Sequence, residues 1–270
     1  ADAYGHGSIP VAKTALAAGA NELGVATVEE GVRLRDAGIE APILVMGPIG
    51  ERESRRAIAS DLMLVVSDVD LAKALAADVR KSGRKKPLPV HIKIDTGMNR
   101  FGCAPDEAPT LAQVIDKLPE LRLDAVMTHL ACADNPGSDA TAGQAKTFDR
   151  AIANIRAAGI EVPSQHIANS PGTINFPKLH RDRVRVGTAM YGLQPDPTME
   201  LPAPLRPVMT VHSRISRIHE MQPGDRVSYG GTWTAETPTR VGLVALGYAD
   251  GYDRSGSNRA WMDVRGQKAP

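Results

Sequence analysis

Five short stretches hold side chains whose types suit one piece of chemistry. "HIKIDTGMNRFG" carries Lys93, Asp95 and Arg100, and "MTHLA" carries Thr128 and His129. "QHIANSPG" supplies His166, Asn169 and Ser170, and "RVRVGTAMYG" supplies Arg185, Gly187 and Thr188. The opening "ADAYGHG" adds Tyr4. Small residues in "NSPG" and "VGTA" expose backbone N–H groups, and a helix start adds positive potential, so these loops suit an anion such as phosphate. Each residue has a plainer role open to it. A single histidine on a strand is commonly a hydrogen-bonded structural residue, Arg185 could pair with a carboxylate, and Lys93 could lie at an edge. Only their convergence on one mouth makes them a site, and convergence depends on the elements that carry them.

Those elements alternate. Strand-like, β-branched runs lie at 23–28, 42–47, 62–67, 89–95, 123–130, 164–169 and 183–187. Helical periods lie between them at 10–19, 29–38, 69–83 and 145–159. Ser67 and Asp70 have capping-box spacing, and Gly19, Gly38, Gly83 and Gly159 stand where helices end. Alternation of this kind predicts a parallel sheet. Seven strands call for an eighth ahead of Ala1, completing a (β/α)8 TIM-like barrel with "ADAYGHG" as the loop after its first strand. Barrel active sites form at the C-terminal ends of the strands, which is where the chemistry-bearing residues fall. Near 195 the texture changes. "QPDPTMELPAPLRP" holds five prolines and reads as an extended linker. The runs after it are strand-like with tight turns. The expected organisation is a barrel over 1–195 and a mostly β C-terminal domain over 196–270, truncated at "DVRGQKAP".

Composition narrows the function. The formal charge of +1 argues against a general nucleic-acid binder, and the basic run Arg80–Lys86 reads as a solvated loop. Cys103 and Cys132 stand far apart, offer no zinc site and fit a reducing cytoplasm. No apolar run reaches the roughly 20 residues of a membrane span.

With these segments in place, the chain resembles the bacterial alanine racemase family. The likeness runs through "ADAYGHG", "KIDTGMNRFG", "THLACAD", "HIANSPG", "VRVGTAMYGL", "PGDRVSYGGTWTA" and "LGYADGY", in that order. It implies a pyridoxal 5'-phosphate (PLP) enzyme that interconverts L- and D-alanine through an external aldimine, supplies D-alanine for peptidoglycan, and works as a cytoplasmic homodimer with shared active sites. It implies a Schiff-base lysine immediately before Ala1. Tyr4, Ser170, Gly187 and Thr188 would hold the phosphate, and His129 would pack on the pyridine ring. Arg185 would face the pyridine nitrogen, with His166 behind it. Arg100 would lie near the substrate carboxylate, positioned by Lys93, which is often carbamylated in the family. Tyr248, given by the partner subunit, would be the second catalytic base. No metal is implied.

The chemistry accounts for these choices. Racemisation removes a proton from one face of the α-carbon and returns one to the other, so two opposed bases are needed. An arginine at the ring nitrogen does not hand over a proton, which keeps the ring a weak electron sink and suppresses side reactions. A PLP decarboxylase would favour a carboxylate there. The alternatives are a broader amino-acid racemase, a non-catalytic PLP-binding protein, which would lack the β domain, and an inactive chain truly without the lysine. Lys13, on the next helix, would be no substitute.

Overall fold

The β-branched runs form strands because Val and Ile pack well on a pleated surface. In the computed structural model, which describes residues 2–270, β1 (Leu23–Val25), β2 (Ile43–Val45), β3 (Met63–Val66), β4 (Leu88–Lys93), β5 (Leu121–Met127) and β6 (Gln165–His166) form one parallel sheet in sequence order. Helices α1 (Ser8–Ala17), α2 (Val28–Asp36), α3 (Glu51–Ala59), α4 (Val69–Ser82), α5 (Ala108–Asp116), α6 (Ala140–Ala157) and α7 (Ser170–Asn175) alternate with the strands. The architecture is that of a TIM-like barrel, of which six strands are paired among the described residues.

Residue alternation sorts the two faces of the sheet. On β4, Val90 and Ile92 join Leu64, Val126 and Phe148 in the main buried core. His91 and Lys93 alternate with them and are also buried. Leu44, Met63, Val65 and Met127 form a second apolar cluster, against which Phe101 packs. The polar groups of the site are therefore set in an interior with little water, where charge interactions are strong.

Three local expectations need correction. Residues 183–187 form no ladder strand: they run extended beside β6, with the Asp182 N–H donating to Gln165 O (3.2 Å) and the Arg185 N–H to Ala168 O (2.9 Å). The physical reason is the partner, since β6 is two residues long and the chain turns into α7 soon after it. The cap of α4 is Asp68, which accepts from the Leu71 N–H (2.7 Å), rather than a Ser67–Asp70 box. The proline-rich stretch is folded back rather than a free linker: the Val208 N–H donates to Tyr191 O (3.0 Å) and the Gln194 amide to Met199 O (2.8 Å). Helix-ending glycines sit as expected, with φ of 101°, 79°, 71° and 84° at Gly19, Gly38, Gly83 and Gly159.

Contacts divide the chain into a unit that ends at Met209 and a unit from Thr210 to Pro270. The second unit is built of antiparallel pairs. β7 (Ile215–Met221) pairs with β10 (Thr239–Val244), β8 (Arg226–Val227) with β9 (Trp233–Thr234), and β11 (Met262–Val264) with β12 (Gln267–Ala269).

Candidate active site

Tyr4 sits in a turn held by carboxylates. The Asp2 N–H donates to Glu30 Oε1 (2.8 Å), and Asp2 Oδ1 accepts from the Ser8 N–H (2.9 Å). Glu30 is also the N3 residue of the capping box that starts α2 at Thr27, so one carboxylate anchors two segments. Asp2, Ala3 and Tyr4 all have positive φ, a conformation that needs such outside support. Tyr191 packs edge-on against Tyr4 (5.4 Å) and stacks on His6 (4.6 Å).

Tyr4 reaches Gly187: a Cβ added at Gly187 would lie 3.1 Å from the Tyr4 hydroxyl oxygen. The Gly187 N–H donates to buried Ser170 Oγ (2.8 Å), at the start of α7. Asn169 caps that helix, its Oδ1 accepting from the Gly172 N–H (3.1 Å), and Thr188 begins a short 3-10 turn. Tyr4, Ser170, Gly187 and Thr188 thus come together as a small polar cup. Gly187→Ala closes this cup, and we expect about a tenfold weaker PLP Kd with a nearly unchanged KM for alanine. Absorbance titration with PLP checks this; an unchanged Kd would show the cup is not the phosphate seat.

Arg185 is held by carbonyls. Its Nη1 donates to His166 O (2.9 Å) and His166 Nδ1 (2.8 Å). Its Nη2 donates to Thr128 O (2.6 Å) and Ile167 O (3.1 Å). Its Nε is buried and without a partner. Burial lowers the guanidinium to about 10, so it remains a cation at neutral pH. His129 lies beside it, Nδ1 3.4 Å from Arg185 Nη2, and is kept neutral: burial, then the charges of Arg185, Arg100 and Lys93, push it down to about 4. Gln144 fixes the backbone here, donating to His129 O (3.0 Å) and accepting from the Ala131 N–H (2.8 Å).

The loop that carries Arg100 is built on Asp95. Its Oδ1 accepts from the N–H groups of Gly97 (2.9 Å), Met98 (3.0 Å) and Asn99 (3.0 Å), and its Oδ2 from that of Arg100 (3.1 Å). Burial raises this carboxyl, but the four N–H groups outweigh it and hold the pKa below the ordinary carboxylate value. The loop returns through Gly102, whose φ is +142°. There the Cys103 N–H donates to Lys93 O (2.9 Å) and the Asp95 N–H to Cys103 O (2.9 Å). A Cβ at Gly102 would meet backbone atoms of Asp95, Ile94 and Lys93 at 2.7, 2.9 and 3.0 Å. Gly102→Ala should therefore cost about 2–4 kcal/mol, lower Tm and raise the KM for alanine. A thermal melt with parallel kinetics checks it, and a wild-type Tm would contradict it.

Lys93 is buried, with its Nζ 4.6 Å over the Phe101 ring. Burial, then Arg100 and Arg185, lowers its pKa to about 8. Lys93, Arg100 and His129 line one crevice with Asp95 and Phe101. Tyr248 belongs to the second unit, where it is exposed and opens a 3-10 turn, Tyr248–Asp250, closed by Gly251 at φ 90°. Sequence reasoning missed Glu30 and Gln144. Only Glu30 left a readable signal, the Thr27–Glu30 box.

The residues present fit PLP. The unpartnered Arg185 Nε is a buried donor that a pyridine nitrogen would satisfy as an acceptor. Tyr4 Oη, Ser170 Oγ and the Gly187 backbone converge with no Cβ between them, a donor set that suits a phosphate oxyanion. A TIM-like barrel with such a site and a trailing β unit defines a barrel-type PLP enzyme. Residues 1–195 match the family described as "Alanine racemase, N-terminal domain", and residues 208–270 match "Alanine racemase, C-terminal domain". An alanine racemase of Nostoc sp. is 44% identical over 271 residues, covering 100% of this chain and 70% of the relative. The solved alanine racemase from D-cycloserine-producing Streptomyces lavendulae superposes with a TM-score of 0.89 at 36% identity, covering 99% of this chain and 71% of that one. A histidine racemase from Leuconostoc mesenteroides superposes at 0.84 with 28% identity, covering 95% and 68%. The chain belongs to the alanine racemase family. It is a PLP-dependent racemase that interconverts L- and D-alanine.

Proposed function

We propose that Arg185, Tyr4, Ser170, Gly187 and Thr188 hold the cofactor, that Arg100 binds the substrate carboxylate, and that Tyr248 moves the α-proton on one face. The observation that carries this reading is the guanidinium of Arg185, fixed on two nitrogens by backbone carbonyls and His166 and unspent on the third. When bound, PLP supplies the electron withdrawal that makes the substrate α-proton removable. Tyr4 Oη and Ser170 Oγ would hold the phosphate end, and His129, kept neutral by burial, would lie by the ring without adding charge. Arg185 keeps its proton and limits the withdrawal, favouring simple return of the α-proton over side reactions. Arg100, on its Asp95-braced loop, orients the substrate. Lys93 is a positioning residue. Its lowered pKa leaves part of it as the free amine that carbamylation needs, and the resulting anion would pair with Arg100. The opposing base is the lysine that the family likeness puts ahead of Ala1.

We place the protein as a cytoplasmic homodimer in which Tyr248 enters the partner's site, supplying D-alanine for peptidoglycan. Two free cysteines support a reducing compartment; burial pushes the Cys103 thiol up to about 12, so it stays protonated. Among the described residues, no helix is long and apolar enough to cross a membrane. We place the division between barrel and β domain at 195/196; the family segments end at 195 and resume at 208, and the contacts divide the chain after Met209.

The test is loss of optical rotation of L-alanine by protein stripped of PLP with hydroxylamine and then dialysed, with and without added PLP. We expect activity to depend on PLP; racemisation without it would overturn the reading. The histidine racemase likeness favours a second reading, a broader racemase. Comparing kcat/KM for alanine, serine and lysine separates the two, and a higher value for a larger amino acid would displace alanine.

A further inference from the structure

Behind Arg185 a line of side chains crosses the sheet, with His166 and His91 buried at its centre. Arg185 Nη1 donates to His166 Nδ1 at 2.8 Å. A guanidinium has only hydrogens to offer, so this histidine nitrogen carries a lone pair. The one proton of neutral His166 is then on Nε2, which lies 2.9 Å from His91 Nδ1. His91 must accept there, so its own proton is on Nε2, 3.3 Å from Asp124 Oδ2. Both rings are neutral, because burial is the largest influence on each and lowers both pKa values.

The far end is fixed as firmly. Arg183 Nη2 donates to Asp124 Oδ2 (3.0 Å), and Arg122 Nη1 lies 2.8 Å from Oδ1. The His91 and Arg183 donors outweigh burial and hold the Asp124 carboxyl well below the usual carboxylate range. The backbone provides for this contact. Val90 pairs with Leu123 but His91 pairs with Ala125, so Asp124 is an extra residue, a β-bulge in β5. Bulges re-aim side chains, and here the carboxylate meets the His91 ring.

We propose that His91 and Asp124 are positioning residues for Arg185: together they fix which nitrogen of His166 is a lone pair, and so where the cofactor-facing guanidinium sits. This rests on the reading of Arg185 given above. The arrangement is all-or-none, because reversing one ring sets N–H against N–H at the next. Arg183 Nη1 stands 3.4 Å from His91 Nε2. Without the Asp124 carboxylate, that donor would favour the reversed order and turn a His166 N–H toward Arg185.

The test uses the full chain with PLP bound and histidine labelled with nitrogen-15. Native His91 and His166 should both show Nδ1 unprotonated and Nε2 protonated. Asp124→Leu and His91→Leu should move the His166 proton toward Nδ1 and lower kcat about tenfold, with the KM for alanine within about twofold. His91→Gln, whose amide oxygen can accept from His166 Nε2, should keep kcat within about threefold of native. Native His166 protonated at Nδ1 would overturn the relay. So would equal losses in His91→Leu and His91→Gln, which would assign His91 to packing alone. If Asp124→Leu does not fold, the two His91 variants decide. A moved His166 proton with unchanged kcat supports the relay and overturns the reading of Arg185 instead.

Discussion

Arg185→Gln should lower kcat for alanine racemisation by about a hundredfold or more, with the KM for alanine within about threefold. The loss follows from what the side chain does twice over. Toward the cofactor it is an oriented, charged donor, and removing one such group from a dry site costs about 10²–10³ in rate. Toward the protein it spans the carbonyls of Thr128, His166 and Ile167. A glutamine has two N–H groups and no charge, so at least one of those carbonyls loses its donor. The expected cost is about 1–3 kcal/mol of stability, and Tm falls by several degrees. The two effects separate experimentally, because a purely structural role would lower Tm and the active fraction but not kcat per bound cofactor. Kinetics normalised to PLP content, alongside a thermal melt, make the measurement. Native kcat per cofactor would remove Arg185 from the site.

Tyr248→Phe should lower kcat by about 10²–10⁴ while PLP still binds. The substitution removes one oxygen from an exposed residue of the second unit, so folding should be little changed. A tyrosine serves as a base only when cationic neighbours lower its pKa from about 10. A variant with native kcat would show that the second base lies elsewhere.

The sequence made the strand-end residues legible because barrel topology places such groups at one mouth whatever the loops between them do. Lys93, His129, His166 and Arg185 could be picked out by type and position alone. What stayed hidden depends on pairing. The bulge that aims Asp124 at His91 is a property of the register between β4 and β5, which neither strand displays by itself. Gln144 lies just ahead of the helical period expected at 145–159 and carries no sign of a role, yet its amide joins Thr96, His129 and Ala131. The alternating run at 183–187 reads as a strand, but the short β6 beside it offers little to pair with. Helix α5 buries Ala108, Leu111, Ala112 and Ile115 at i, i+3, i+4 and i+7, an apolar period that survives the proline in its first turn, whereas α3, "ERESRRAIA", is short and mostly polar. Family likeness brought in roles that spacing alone does not assign, those of Tyr4 and Tyr248 above all.

The two-base account is tested most directly by Tyr248→Phe in deuterium oxide, offered L- and D-alanine separately and followed by proton NMR and chiral analysis. With one base left, the α-hydrogen of a single enantiomer should exchange for deuterium with its configuration retained, while the other enantiomer stays protiated and neither inverts at a native rate. Deuterium entering both enantiomers together with rapid inversion would contradict the assignment of Tyr248 as one of the two bases.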